Sequence, residues 1–394
     1  MASPFASLPQ LVVAGYRPTT FDYDPSPEAE QTTLVTKEQW IEVFRGSIPE
    51  FSKRAKAYGT VQGSERLSTQ FADTFNADLD SVINGEHATL FDGPPTVLKL
   101  CKLRDQRLRE LGFADCFLAV KTAENTKALI ELPKVLQDID AITDKTQRIK
   151  ALVQGAFAGN VFDLGAAASA KMHADGTNGF SATKSKLKKR PWCVDDFDEF
   201  LDRWIGSAKT LDYISNGDAA NGDTTSNTNI IKSPWKKVIV FVDNAGADVV
   251  LGMLPFCREL LKGGACVILA ANEVPSINDI TAKELNEILP RVAEVDMEGI
   301  FKKAMDSDAL KVISSGSDLP VIDLTKLSKK LCAEAKGADL IVMEGMGRAV
   351  ETNLYAKFTC DALNLGIVKH PEVATCLKGT LYDCVCRFRG AEGE

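Results

Sequence analysis

The stretch from Lys237 to Thr281 constrains the fold more than any other part of the chain. An apolar run, Val238 to Val242, stops at Asp243-Asn244. A helical pattern follows from about Asp248 to Leu261 and ends at Gly263-Gly264. A second apolar run, Cys266 to Ala270, stops at Asn272-Glu273, and Thr281 with Glu284 makes a capping box for another helix. Two short apolar runs around a helix predict a βαβ unit whose parallel strands are buried on both faces. A right-handed crossover places both strand C-termini on one sheet edge, where open α/β sheets bind ligands. Asp243, Asn244, Asn272, Glu273, Asn278 and Asp279 are expected to gather there.

The rhythm continues downstream. Lys311 to Ser314 and Val321 to Leu324 read as short strands around Gly316-Ser317-Asp318, and Thr325 opens a helix that ends at Gly337. Leu340 to Met343 is a buried strand stopping at Glu344-Gly345-Met346-Gly347-Arg348, with Asn353, Tyr355 and Lys357 in the loop beyond. Gly366 to Val368 and Leu381 to Phe388 close the sheet. Upstream, Thr36 and Gln39 cap a helix from Lys37, and helical patterns follow at about 49–58, 64–84, 94–111, 115–140 and 144–157, then Val194 to Trp204. Leu103 to Arg107 reads as a solvated charged face. The expected fold is α/β: a Rossmann-like, mostly parallel sheet flanked by helices, with an N-terminal all-helical domain packed against it. The divisions are an extended surface arm (1–35), a helical domain (36–210), a flexible polar insertion (211–234) and an α/β metal-binding core (235–394).

Composition narrows the function. The formal net charge of −8 and pI near 5.2 argue against a nucleic-acid or anionic-membrane partner. No run approaches the roughly 18–20 apolar residues of a membrane helix. No basic region precedes the first apolar residues, so no secretory leader is expected. The 10 cysteines form no CxxC pair and read as buried reduced thiols of a cytoplasmic protein. The only histidines, His87, His173 and His370, read as solvent-exposed, which leaves chemistry to carboxylates, amides and lysine.

Asp243-Asn244, Asn272 to Asp279 and Glu344 to Lys357 all fall on the one predicted edge. Two carboxylates and an amide oxygen make a hard-oxygen set suited to Mg²⁺ or Mn²⁺. The helix after Asn244 is expected to aim free N–H groups at the same place. Lys357 or Arg348 supplies positive charge for a phosphate. These parts describe metal-assisted phosphoryl chemistry on a small phosphorylated metabolite. Rival machines fit poorly: there is no GxxxxGK[ST], position 245 is alanine where a DxD phosphatase needs a carboxylate, and the turn after the first strand has one glycine where a dinucleotide site wants GxGxxG.

At these residues the chain resembles the metal-dependent damage-control phosphatases, formerly a domain of unknown function. The likeness is strongest to plant stand-alone members and to the C-terminal domain of pantothenate-kinase-like fusion proteins. It is carried by Phe241 to Asp248, Ala271 to Asp279, Gly316 to Pro320 and Glu344 to Arg348, with Ala158 to Asp163 and Arg190-Pro191-Trp192 also similar. The resemblance implies a divalent metal (Mn, Mg, Co or Ni) held by Asp243, Asn244 and Asp279. It implies that Asn160 and Asp163 reach in from the helical part, and that Lys357 contacts the phosphate with Asn353 and Glu344 nearby. Asp243, Asn244 and Lys357 are the expected catalytic residues, and Asn160, Asp163, Asn272, Glu344, Arg348 and Asn353 the substrate-binding ones. The implied substrates are damaged or surplus phosphate monoesters, 4′-phosphopantetheine and its oxidised forms for this branch. The competing functions are an S-adenosylmethionine-dependent carboxyl methyltransferase, which needs a Gly-rich first turn, and a non-catalytic metabolite-binding protein.

Overall fold

The computed structural model describes residues 4–18, 36–161, 179–206 and 230–391. Asp163, His173 and the 215–229 insertion lie outside the described residues, as does 19–35 of the arm. The chain runs through β1 (Phe5–Ala6), then the helices α1 (Lys37–Lys56), α2 (Ser64–Ile83), α3 (Val97–Glu110), α4 (Leu118–Asp140) and α5 (Lys145–Asn160). The strands that follow are β2 (Val194–Asp195), β3 (Lys237–Phe241), β4 (Cys266–Ala271), β5 (Leu310–Ser314), β6 (Leu327–Ser328), β7 (Leu340–Glu344), β8 (Asp361–Ile367) and β9 (Cys384–Arg389).

β1 pairs with β6; the other seven form one sheet in the order β2-β9-β8-β7-β3-β4-β5. Every neighbouring pair in it is parallel except β8–β9. From β3 the chain steps outward to β4 and β5, then returns to β7 on the other side of β3. The reversal opens a crevice beyond the C-terminal ends of β3 and β7, the usual ligand position in such sheets. The fold is thus α/β, with a mostly parallel sheet between helical layers.

Strand side chains alternate between two cores, as a period of two requires. Val238 and Val240 join α4 and α5 in one; Ile239 and Phe241 join α1, α2 and α3 in the other. The residues expected as a helical domain therefore cover both sheet faces. Both expected capping boxes form: Thr36 with Gln39, and Thr281 with Glu284 at the start of the helix Ala282–Val295.

Several expectations change. The helix from Lys37 and the pattern at 49–58 are one helix, α1, which runs through Pro49. Proline removes one backbone bond, and the buried Ile48 and Phe51 beside it hold the turn. The described part of the N-terminal arm is anchored at three residues: Leu8, Gln10 and Leu11 are buried, and Leu8 N–H donates to Leu324 O at 2.9 Å. Val194–Asp195 is a strand, with the helix starting two residues later, at 197–206. Val321, Ile322 and Leu324 are buried without strand pairing; apolar residues around Asp323 mark burial, not strand geometry. Thr325 does not open a helix, because its N–H and hydroxyl both bond Asp323 Oδ1; Ser328 caps the short helix Lys329–Glu334. Leu103 to Arg107 is not a solvated face, since Leu103, Arg104 and Asp105 are all buried. Among the cysteines, Cys266 is exposed.

Leu8 is 1 % exposed and sits in the core shared with α1 to α3. Leu8→Ala is therefore expected to lower the unfolding free energy by about 2–5 kcal/mol. Urea denaturation measures it; a change near zero returns the arm to the surface.

Candidate active site

Asp243 follows β3, and Glu344 ends β7, its register neighbour. The Asp243 N–H donates to Glu344 Oε2 at 3.1 Å, so the two strand ends are joined by a carboxylate. Gly345 makes this approach possible: its φ is +96°, and a Cβ there would collide with the Asp243 carboxylate.

The 272–281 loop is stitched to the same place by its backbone. Ala245 N–H donates to Asn278 O at 2.9 Å and Ile280 N–H to Asp243 O at 3.0 Å. An isolated bridge pairs Asn244 with Asp279. Asn272 Nδ2 then donates to Asp279 Oδ2 at 3.1 Å and orients it.

The third supply line is α5. Gly159 lets this helix close on the segment after β3, where a Cβ would lie 2.7 Å from Asp248 Cα. Asn160, at its last turn, accepts from Ile367 N–H through Oδ1 at 3.1 Å. That bond turns its amide NH₂ inward, where it donates to Glu344 Oε1 (2.7 Å), Asp248 Oδ2 (3.1 Å) and Asp243 Oδ2 (3.3 Å). Asn244 Nδ2 adds bonds to Asp243 Oδ2 and Asp248 Oδ2, both 2.8 Å. The expected anion site at the helix start is not open. The N–H groups of Asn244, Ala245 and Gly246 are taken by Asp248 Oδ2, Asn278 O and Asn125 Oδ1.

Asp243, Asp248 and Glu344, all buried, each offer a carboxylate oxygen within 4.8 Å of the others. This cluster shares Asp243 with the expected metal set but uses Asp248 and Glu344 in place of Asn244 and Asp279. Asp248 Oδ1 is buried without a hydrogen-bond partner. Burial raises the Asp248 pKa above its ordinary value, opposed by the nearby Lys369 charge and the bonds it accepts. On the other side of Asp243, the Arg348 guanidinium joins Asp243 Oδ1 to Asp279 Oδ2 (2.7 Å) and Asn272 Oδ1 (3.0 Å). A cation already bridges Asp243 and Asp279. An orphaned carboxylate oxygen, that bridge and an all-oxygen acidic set fit a divalent cation.

Asp243, Asn244 and Asp279 line one cleft with Arg104, Met346, Glu351 and His370; Trp40, Phe44 and Val97 make its apolar wall. Other expected residues lie elsewhere. Asn353 is structural in its contacts: Nδ2 donates to Ile322 O and Arg348 O, and Oδ1 accepts from Tyr16. Lys357 is exposed and its carbonyl pairs with Val12 N–H of the arm. Sequence reasoning missed Lys369, a buried lysine after β8 whose charge acts on Asp248. It also misread His370, half-buried and 3.2 Å from Glu351 Oε1. Asp248 was visible as the i+4 neighbour of Asn244, the spacing that lets one side chain bond the other.

Asp248 yields a pH prediction for the metal-free protein. Its folded pKa is raised, so its contribution to stability is fully present below the unfolded pKa and is lost as pH rises through the folded pKa. Asp248→Asn escapes that loss. Its melting temperature relative to the native chain is expected to rise as pH goes from 4 to 8; a difference that stays flat with pH contradicts this.

The model of the damage-control phosphatase ARMT1-like domain matches residues 46–385. A damage-control phosphatase of Arabidopsis thaliana is 43% identical over 98% of this chain and 96% of its own length. Pantothenate kinase 2 of the same plant is 35% identical over 95% of this chain, and the 4′-phosphopantetheine phosphatase of Mus musculus 30% identical over 98%. The chain spans only 40% and 48% of the lengths of those two. The crystal structure of a DUF89-family protein from Pyrococcus horikoshii superposes with a TM-score of 0.55 at 18% identity, covering 89% of this chain and 98% of that one. With the family model spanning most of its length and a full-length relative at this identity, the chain belongs to the damage-control phosphatase ARMT1-like family.

Proposed function

We infer that this protein hydrolyses phosphate monoesters of damaged or surplus metabolites with a divalent cation, Mg²⁺, Mn²⁺, Co²⁺ or Ni²⁺, in the cytoplasm. The observation that carries the reading is the buried carboxylate cluster of Asp243, Asp248 and Glu344 at the sheet's reversal point, opening through Asp243 to the cleft. We assign 4′-phosphopantetheine and its oxidised forms as substrates, supported by the 30% identity to a phosphatase of that name.

Asp243 would be the shared ligand, with Glu344 and Asp248 beside its Oδ2, where Asn244 also bonds, and Asp279 across Arg348 from its Oδ1. A divalent cation there supplies a Lewis acid for the phosphoryl oxygens and for the attacking water. The chain's own residues do the rest. Asn160 and Asn244 hold the carboxylates in one orientation through amide N–H bonds. Arg348 and Lys369 add positive charge beside the carboxylates, in a setting from which most water is excluded. Trp40, Phe44, Val97 and Met346 meet the organic part of the ester.

The test is phosphate release from a panel of monoesters, with each metal restored after chelation. Release is expected only with metal; none with any metal removes the reading. Asp243→Asn is expected to lower kcat at least about 100-fold with melting preserved, since loss of even an outer-sphere partner costs 10–100-fold.

The sequence placed the phosphate-holding lysine at Lys357; burial and charge favour Lys369. Lys369→Ala is expected to lower kcat/KM by about 10²–10³-fold, more than Lys357→Ala. The reverse ranking gives the role back to Lys357.

A further inference from the structure

Arg104 is charged, 4% exposed and incompletely bonded. It lies on α3 at the turn spacing of Val97, Cys101 and Leu108, so its own helix carries it inward. Nε donates to Asp105 Oδ1 at 2.8 Å, and Asp105 Oδ2 accepts from Ser276 of the 272–281 loop. The guanidinium stands over the Phe51 ring, 4.4 Å from its centroid. Its charge, opposed by burial, is held by Asp105 and, more weakly, by Asp279. A planar group fixed at one edge and one face cannot turn to satisfy its remaining donors. One of its outer nitrogens, Nη2, is buried with no hydrogen-bond partner.

Arg104 lines the same cleft as Asp243, Asn244 and Asp279. The neighbouring wall of Trp40, Phe44, Val97 and Met346 offers no charge and no oxygen-rich surface for an anion to avoid or replace. Arg348 differs: it is already shared among Asp243, Asn272 and Asp279. An oxyanion beside the metal edge would give the unpartnered Arg104 donor a charge-assisted bond. We propose that Arg104 is a substrate-binding residue whose open nitrogen donates to a non-bridging phosphoryl oxygen of the ester, and to inorganic phosphate after hydrolysis. This rests on the phosphatase reading and adds a residue to it from the helical layer. Neither charge nor proton is transferred in this contact; it is a hydrogen bond to an oxygen that stays anionic.

The experiment is calorimetric titration of inorganic phosphate into the Mn²⁺-loaded full chain, native, Arg104→Lys and Arg104→Gln, with Mn²⁺ affinity measured in parallel. Phosphate Kd is expected to rise about 10-fold or more in Arg104→Gln and by less in Arg104→Lys, which keeps the charge but not the fork. Mn²⁺ Kd is expected to stay within about twofold, as Arg104 touches no acidic-cluster carboxylate. Unchanged phosphate Kd overturns the proposal. So does a matching loss of Mn²⁺ affinity, which makes Arg104 a support for the 272–281 loop. If Arg104→Gln does not melt cooperatively, Arg104→Lys decides: a raised phosphate Kd with Mn²⁺ Kd held supports the proposal, and an unchanged phosphate Kd overturns it. Native protein that binds phosphate but hydrolyses no ester defeats the phosphatase reading and leaves this comparison standing; active native protein with indifferent variants defeats Arg104 alone.

Discussion

Four carboxylates, Asp243, Asp248, Asp279 and Glu344, are buried together at one end of the sheet. They are costly to hold, because like charges in a poorly polarisable interior repel and each has given up its water. The surrounding residues are the means of holding them. Three amides, Asn160, Asn244 and Asn272, donate to them, and two buried cations, Arg348 and Lys369, stand among them. Fully ionised, the set carries −4 + 2 = −2, the charge that one divalent cation balances. The raised Asp248 pKa comes from burial and is the local sign of the lost water.

The topology decides where that cost can be met. At the reversal point β3 and β7 end side by side while their helices diverge, which leaves a crevice that backbone does not fill. The sheet supplies Asp243 and Glu344 but cannot close the site. α5 brings Asn160, and the 272–281 loop, bonded along its backbone to the segment after β3, brings Asp279. Close approach at two positions, Gly159 and Gly345, lets these parts meet. A larger side chain at either would push a carboxylate or a helix away from the cluster.

Much of this was legible, for a physical reason. Parallel strands buried on both faces must be apolar along their whole length, so β3, β4 and β7 announce themselves and their polar stops mark the edge. Capping boxes are local, and both held. What was hidden depends on distant partners. Arg104 looked solvated because charge was weighed above helical spacing, although Val97, Cys101 and Leu108 put it on the inward face. Lys357 and Lys369 differ only in burial, which neither local sequence reveals. Val321, Ile322 and Leu324 show that neighbouring apolar residues establish burial alone. The arm was read from prolines, while Leu8 and Leu11 were already spaced to pack.

The two helical faces divide the work unevenly. The layer of α4 and α5 reaches the cluster through Asn160 and so acts on the charges. The layer of α1 and α3 faces the cleft with Trp40, Val43, Phe44, Val97, Cys101 and Arg104 and so acts on whatever enters it. A change in the first layer disturbs the carboxylates and every substrate alike, whereas a change in the second alters the wall against which the organic part lies. Ile277, Pro320, Val321 and Met346 complete that wall, so it is built by α1 and α3 together with the segments at the sheet edge. Arg104 carries charge from that layer to the cleft, so α3 meets both the organic wall and the charged edge.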